Sequence, residues 1–184
     1  GRQLAAMHQI TQSQFGWHRN NTIGSTPQIN TREYNWCKFW RDYRLQHQLN
    51  LAQRQGYGGH LQQLGERLLA QMDVLFSSYN PPASLLHGDL WSGNYSGADD
   101  GTPVVFDPAV YYGDRETDLA MTELFGGFTA EFYSAYNEVY PLDSGYDSRK
   151  NLYNLYHVLN HVNLFGHSYI AQAENIMQSL LEDM

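Results

Sequence analysis

The chain has 184 residues, 42% hydrophobic and 14% aromatic, enough apolar material for one substantial core, and disorder is not expected. Lys and Arg total 11 against 19 Asp and Glu, and the net charge of -8 repels nucleic acid and anionic membranes while still admitting a nucleotide whose phosphates ride on metal ions held by carboxylates. Cys37 stands alone, so no internal disulfide or thiolate zinc site can form, and no run approaches the roughly 18 apolar residues of a membrane span; a cytoplasmic setting is expected.

The first residues already show helical spacing, in Leu4, Met7, His8 and Ile10, with no cap before them, which predicts a chain cut from a longer one. Phe15 to Thr31 is rich in Gly, Asn, Thr and Pro yet holds Trp17 and Ile23, and reads as an ordered loop. A helix is expected from Thr31 to Gln55, with Tyr34, Cys37, Trp40, Leu45, Leu49 and Leu51 on its apolar side and a break at Gly56 to Gly59. A second follows from His60 to Tyr79 and is closed by Pro81 and Pro82. At Ser84 the character changes: Leu85-Leu86 and Val104-Val105-Phe106 flank a polar, Gly-containing loop, the one strand-like part of the chain. Helical rhythm returns in Thr117 to Phe125, Ala130 to Tyr140 and Leu152 to Gly166, then in a final helix to Leu181. The expected fold is α+β, a mainly helical single domain over residues 1–184 with a small β-hairpin region holding a loop.

That loop is His87 to Asn94, HGDLWSGN, followed by Val104 to Pro108, VVFDP. Phosphoryl transfer asks a protein mainly to position groups and to neutralise charge, with a carboxylate at the acceptor hydroxyl and oxygen ligands for magnesium. Asp89 suits the first task. Asn94, five positions on, offers an amide oxygen to a metal, and Asp107 follows a strand with a second carboxylate. A short hairpin between them can return Asp107 beside Asp89. His, Asp and Asn in a Gly-rich loop are also ordinary turn residues, and for HGD alone that reading would win. The full order and spacing favour the catalytic one.

HGDLWSGN, then FDPAVYYGDRETDLAM, the upstream NTIGSTPQ and the FWRDYRLQHQL stretch resemble the fructosamine (ketosamine) kinase family, a branch of the protein-kinase-like fold related to aminoglycoside and choline phosphotransferases. The resemblance covers essentially the whole chain and implies the substrate-binding and catalytic C-terminal lobe, with the ATP-binding N-lobe absent. It implies Asp89 as catalytic base, Asn94 and Asp107 as magnesium ligands, Trp91 in the sugar pocket and His87 as a loop brace. It makes Asp114 and Asp118 the acidic pair beginning the helix under the loop, for which a structural role at a helix start is the preferred reading. The implied reaction is transfer of the γ-phosphate of ATP, with magnesium, to a hydroxyl of a small-molecule or protein-bound ketosamine, which destabilises the adduct and begins deglycation. The isolated lobe is expected to be inactive, because no GxGxxG or strand lysine precedes Asp89 and the lysines are Lys38 and Lys150 alone.

Two other readings stand beside this one: a phosphotransferase for another small alcohol, such as an aminoglycoside or choline, and a non-catalytic binding module that retains the loop. Trp17, with Asn20, Asn21 and Thr22, offers a ring face and neutral hydrogen-bond partners for a sugar, or equally an ordered connector. His157 and His161 have metal-binding spacing but lack the Glu of HExxH, which favours a packed or exposed pair. Tyr111 and Tyr112 suit either substrate contact or packing.

Overall fold

In the computed structural model, which describes residues 1–184, the chain runs through α1 (Arg2–His8), β1 (Thr11–Gln12), β2 (Asn21–Ile23), β3 (Thr26–Gln28), α2 (Trp36–Trp40), α3 (Gln46–Arg54) and α4 (His60–Gln71). It continues through β4 (Ala83–Leu86), β5 (Tyr95–Gly97), β6 (Pro103–Val105), β7 (Tyr111–Gly113), α5 (Glu116–Leu124), α6 (Ala130–Val139), α7 (Tyr146–Phe165) and α8 (Ile170–Glu182). Helix α7 is the spine. Its Leu152, Val158, Leu159 and Val162 are wholly buried, and it packs against α3, α5 and α8. Each such side chain contributes about 1.5–3 kcal/mol by leaving water.

The helical periodicities are realised with changed ends. Asn35 caps α2 by accepting the Lys38 amide at 2.7 Å, so the expected helix starts at Trp36 rather than Thr31. A π-helical segment, Arg41–Leu45, joins α2 to α3. Arg44 within it is fully buried with no carboxylate partner. It donates to the Ile29 carbonyl (2.6 Å) and Asn30 Oδ1 (2.9 Å) and lies 4.1 Å from the centre of the Tyr111 ring, so backbone oxygens and π-faces carry its charge. The helix expected to reach Tyr79 is α-helical to Gln71 and tightens to a 3₁₀ segment over Met72–Phe76.

Two expectations are corrected. The stretch read as a loop contains the β2–β3 hairpin, in register Asn21↔Gln28 and Ile23↔Thr26, and strand structure is therefore not confined to the region after Ser84. Moreover, β1 pairs with β4 (Thr11↔Ser84), and β4 pairs with β7 (Leu86↔Tyr111), in an antiparallel three-stranded sheet. Strands this short cannot display alternation, and β1, β4 and β7 take their partners from distant parts of the chain. No helix is long and apolar enough to cross a membrane.

Candidate active site

Strand β4 delivers the chain into the loop His87–Asn94, the β5–β6 hairpin leaves and returns, and β7 runs back beside β4. The hairpin register, Tyr95↔Val105, sets the start of one arm beside the end of the other, and the Phe106 amide donates to the Asn94 carbonyl at 3.1 Å. Asp107 follows directly with φ 55°, the one non-glycine residue in the left-handed region, a conformation Asp tolerates better than most. Gly88 has φ +85°, and a Cβ there would lie 2.2 Å from the Ala109 carbonyl oxygen. Glycine is thus required at this position by both torsion and space.

His87 ties the two halves of the site together. Its Nε2 lies 2.9 Å from the Phe106 carbonyl, which can only accept, so Nε2 carries the proton; the Asp89 amide in turn donates to Nδ1 at 3.3 Å. Asp118, buried in α5, accepts the His87 amide (2.7 Å) and the Gly88 amide (2.8 Å). Burial alone would raise its pKa, but the hydrogen bond from His8, the fields of His8 and His87 and the Gly88 amide outweigh it and hold the carboxyl below its ordinary range. Asp118 therefore clamps the loop backbone rather than capping its own helix.

Behind Asp118 lies a chain of contacts that sequence reasoning missed. Its Oδ2 sits 3.1 Å from His8 Nε2, His8 Nδ1 2.8 Å from the Tyr136 hydroxyl, and that hydroxyl accepts from Arg115 at 3.0 Å. His8 is more than a hundred positions from both Asp118 and Tyr136, and the one local trace was a His on the apolar side of α1. Asp114 does stand at the helix start: its Oδ1 accepts the Glu116 amide (3.0 Å) and the Tyr79 hydroxyl (3.1 Å), and its Oδ2 accepts from Tyr153 (2.5 Å). Burial, then the neighbouring Glu116 charge, pushes its pKa up.

Asp89 differs from both: neither of its carboxylate oxygens accepts a hydrogen bond, and its side chain is 22% exposed. Burial, joined by the charges of Asp118 and Asp107 and partly offset by His87, pushes its pKa up to about 6. Its nearest cation candidate is His157, with Nδ1 3.8 Å from Asp89 Oδ1. Burial and the nearby His161 lower the His157 pKa to about 3, so this is a neutral imidazole beside a carboxylate, not an ion pair. Asn94, itself buried, donates Nδ2 to the Asp89 carbonyl (2.9 Å), and its Oδ1 accepts no protein hydrogen bond. The Asp107 carboxylate is exposed and likewise unpaired. These are hard oxygen donors of the kind magnesium takes.

The remaining sequence-predicted residues divide. Trp91 is 40% exposed and folds its indole over Gly93, where a Cβ would lie 2.2 Å from the ring. Trp17 stacks on Tyr112 with ring centres 5.4 Å apart. Asn21 spends most of its amide internally, donating to the Val110 carbonyl (2.8 Å) and accepting from Gln28 (2.9 Å) and Asn30 (2.8 Å). Gln28 also donates to the Ala109 carbonyl at 2.9 Å, so the hairpin holds the segment after Asp107 from the side. Tyr111 is buried against Arg44. His161 gives Nδ1–H to the His157 carbonyl at 2.8 Å.

A family model described as fructosamine kinase matches residues 1–183. A Synechocystis protein that carries the name ketoamine kinase is 48% identical over 98% of this chain and 61% of its own length. A chloroplastic protein-ribulosamine 3-kinase of Oryza sativa subsp. indica is 45% identical, over 98% of this chain and 53% of its own. A Thermobifida fusca crystal structure titled as a fructosamine-3-kinase superposes with a TM-score of 0.91 at 38% identity, across 98% of this chain and 62% of that one. The chain thus spans between half and two thirds of the relatives it matches.

Proposed function

Because the chain belongs to the fructosamine kinase family, we propose that it supplies the acceptor-binding and catalytic part of an ATP-dependent kinase acting on a hydroxyl of a ketosamine sugar. The observation that carries this reading is the Asp89 carboxylate: it is unpaired and partly exposed, in a loop whose backbone is tied down by Asp118, His87 and Asn94. A carboxylate so placed accepts the proton of an alcohol as its oxygen attacks phosphorus. Its raised pKa makes it a better proton acceptor than an ordinary aspartate.

Asn94 Oδ1 and Asp107 would hold magnesium, which when bound neutralises charge on the transferring phosphate. His87 and Asp118 position the loop, Asp114 supports the helix beneath it, and Trp91 offers a partly exposed ring to the sugar. The observed partners of Trp17 and Asn21 favour a role in holding the segment after Asp107. ATP is the donor in this reading, and the nucleotide lobe belongs to the longer protein. The exposed Val104, Val105 and Phe106 of the hairpin, beside an apolar groove of about 370 Å³, support its docking on that side. Neither lysine is free for a phosphate here: Lys38 pairs with Glu33 (2.7 Å) and Lys150 with Glu123 (2.8 Å), which supports weak nucleotide binding by this chain alone.

The test is phosphate transfer from MgATP to synthetic fructosamine and ribulosamine by the longest encoded polypeptide containing this chain. Transfer to either supports the reading. Transfer only to an aminoglycoside or choline would move the acceptor to another alcohol, and binding without transfer to any of them would leave a recognition module.

A further inference from the structure

One cluster near Asp89 takes no part in the mechanism above. On α7, one turn beyond His157, His161 stacks on Phe165 (ring centres 5.3 Å) and Tyr169 (4.9 Å) and meets the edge of Phe125 (5.3 Å). Phe165 is 62% exposed and Phe125 44%. Two large apolar rings standing in water around one imidazole form a face that an occupant would cover. Two contacts tie the elements that carry this shelf to the loop of Asp89. His157 lies 3.8 Å from Asp89, and the segment after Phe125 crosses the loop so closely that a Cβ on Gly127 would fall 2.4 Å from Ser92. Along the helix, His161 and Phe165 lie about 6 and about 12 Å beyond His157.

Resting on the kinase reading, we propose that Phe125, His161, Phe165 and Tyr169 form the subsite for the amine end of the acceptor, taking a protonated secondary amine and the methylene stem that follows it. The chemistry of the cluster selects that group. Since His161 Nδ1–H is held by the His157 carbonyl, Nε2 is a lone-pair acceptor, and no protein group donates to it. Burial also lowers the His161 pKa, which keeps the ring neutral. An N–H⁺ can donate to Nε2 while sitting on the flanking ring faces. Elsewhere the protein lays its own Arg and Lys cations over rings, at Tyr111, Tyr136, Tyr140, Tyr79 and Tyr146, but over none of these four. Asp89 and Asp107 add negative field at the near end of the shelf. In a ketosamine the amine is a few bonds from the sugar hydroxyls, so a hydroxyl at Asp89 leaves the amine and its stem to run outward along α7.

The experiment uses the longest encoded polypeptide and two acceptors, a ketosamine on Nα-acetyl-lysine and its neutral amide-linked analogue. Phe165→Ala is expected to raise KM for the amine acceptor about fivefold to tenfold with kcat within about twofold. His161→Phe, which keeps the ring and removes the acceptor nitrogen, should narrow the preference for amine over amide by a similar factor. Phe165 is exposed and outside the buried core, and the melting temperature of each variant separates lost binding from lost folding. An active protein whose KM and amine preference are unchanged in both variants overturns the subsite, as does a loss confined to kcat. Absence of transfer to any ketosamine in the unsubstituted protein instead overturns the kinase reading, and the subsite falls with it.

Discussion

Three aspartates crowd the same corner of the molecule, and their surroundings differ sharply. Asp114 and Asp118 are fully buried, and every carboxylate oxygen they carry accepts a hydrogen bond, from Tyr79, Tyr153 and the Glu116 amide in one case and from His8, His87 and Gly88 in the other. Asp89, held by the loop these two support, has neither oxygen satisfied. A saturated buried carboxylate fixes geometry; an unsatisfied one at an opening keeps its lone pairs for something that arrives. On the proposed reading the chain separates holding from reacting: Asp114, just before α5, and Asp118 within it hold the loop, and the loop carries the reacting carboxylate.

That separation can be broken from either side. The largest effect is expected at Asp89, where Asp89→Asn should lower phosphate transfer by about a thousandfold or more while the fold persists, as rates on a ketosamine and a circular dichroism melt would show. Next comes Asp118→Ala, which strands two buried amides and the His8 ring and should cost about 3–5 kcal/mol in a urea titration. Because the Asp118 pKa is depressed in the folded state, its stabilisation is full above the ordinary carboxylate pKa and is lost as pH falls through the lowered value. An acid titration of stability should accordingly lose its steepest part in that variant. Gly88→Ala should cost about 2–4 kcal/mol, since both φ and the Ala109 carbonyl oppose a Cβ.

The smallest effect has the opposite sign. Asp89 has a folded pKa raised to about 6, so its ionised form is penalised by folding, a cost absent below the unfolded pKa and complete once pH has risen past the folded one. Without divalent cations, Asp89→Asn should therefore stabilise the chain by about 1–3 kcal/mol at pH 7.5, with the gain fading as pH falls from 6 towards 4. Thermal melts across that range would check it.

How much of this could be read from the residues depended on distance along the chain. The order of Asp89, Asn94 and Asp107 around a short hairpin is local, and the β5–β6 pairing follows from it. So are the leucine rhythms of α4 and α7. The brace from Arg115 through Tyr136 and His8 to Asp118 is not, because it joins α1, α5 and α6 through side chains whose neighbours in sequence give no sign of it. The β2–β3 hairpin was hidden for another reason: Asn, Thr, Pro and Gly are turn formers, and three-residue strands give no period to detect. His157 was weighed only against His161, its helical neighbour, although its closest charged group is Asp89 on a different element.

The most direct test of the division between holding and reacting measures Asp89→Asn and Asp118→Asn side by side, for phosphate transfer and for melting temperature, in the longest polypeptide that contains this chain. The account predicts opposite rankings: Asp89→Asn abolishes transfer with an unchanged or higher melting temperature, and Asp118→Asn lowers the melting temperature while transfer by the remaining folded protein persists in part. Full transfer by Asp89→Asn, or a fall in its melting temperature as large as that of Asp118→Asn, would contradict it.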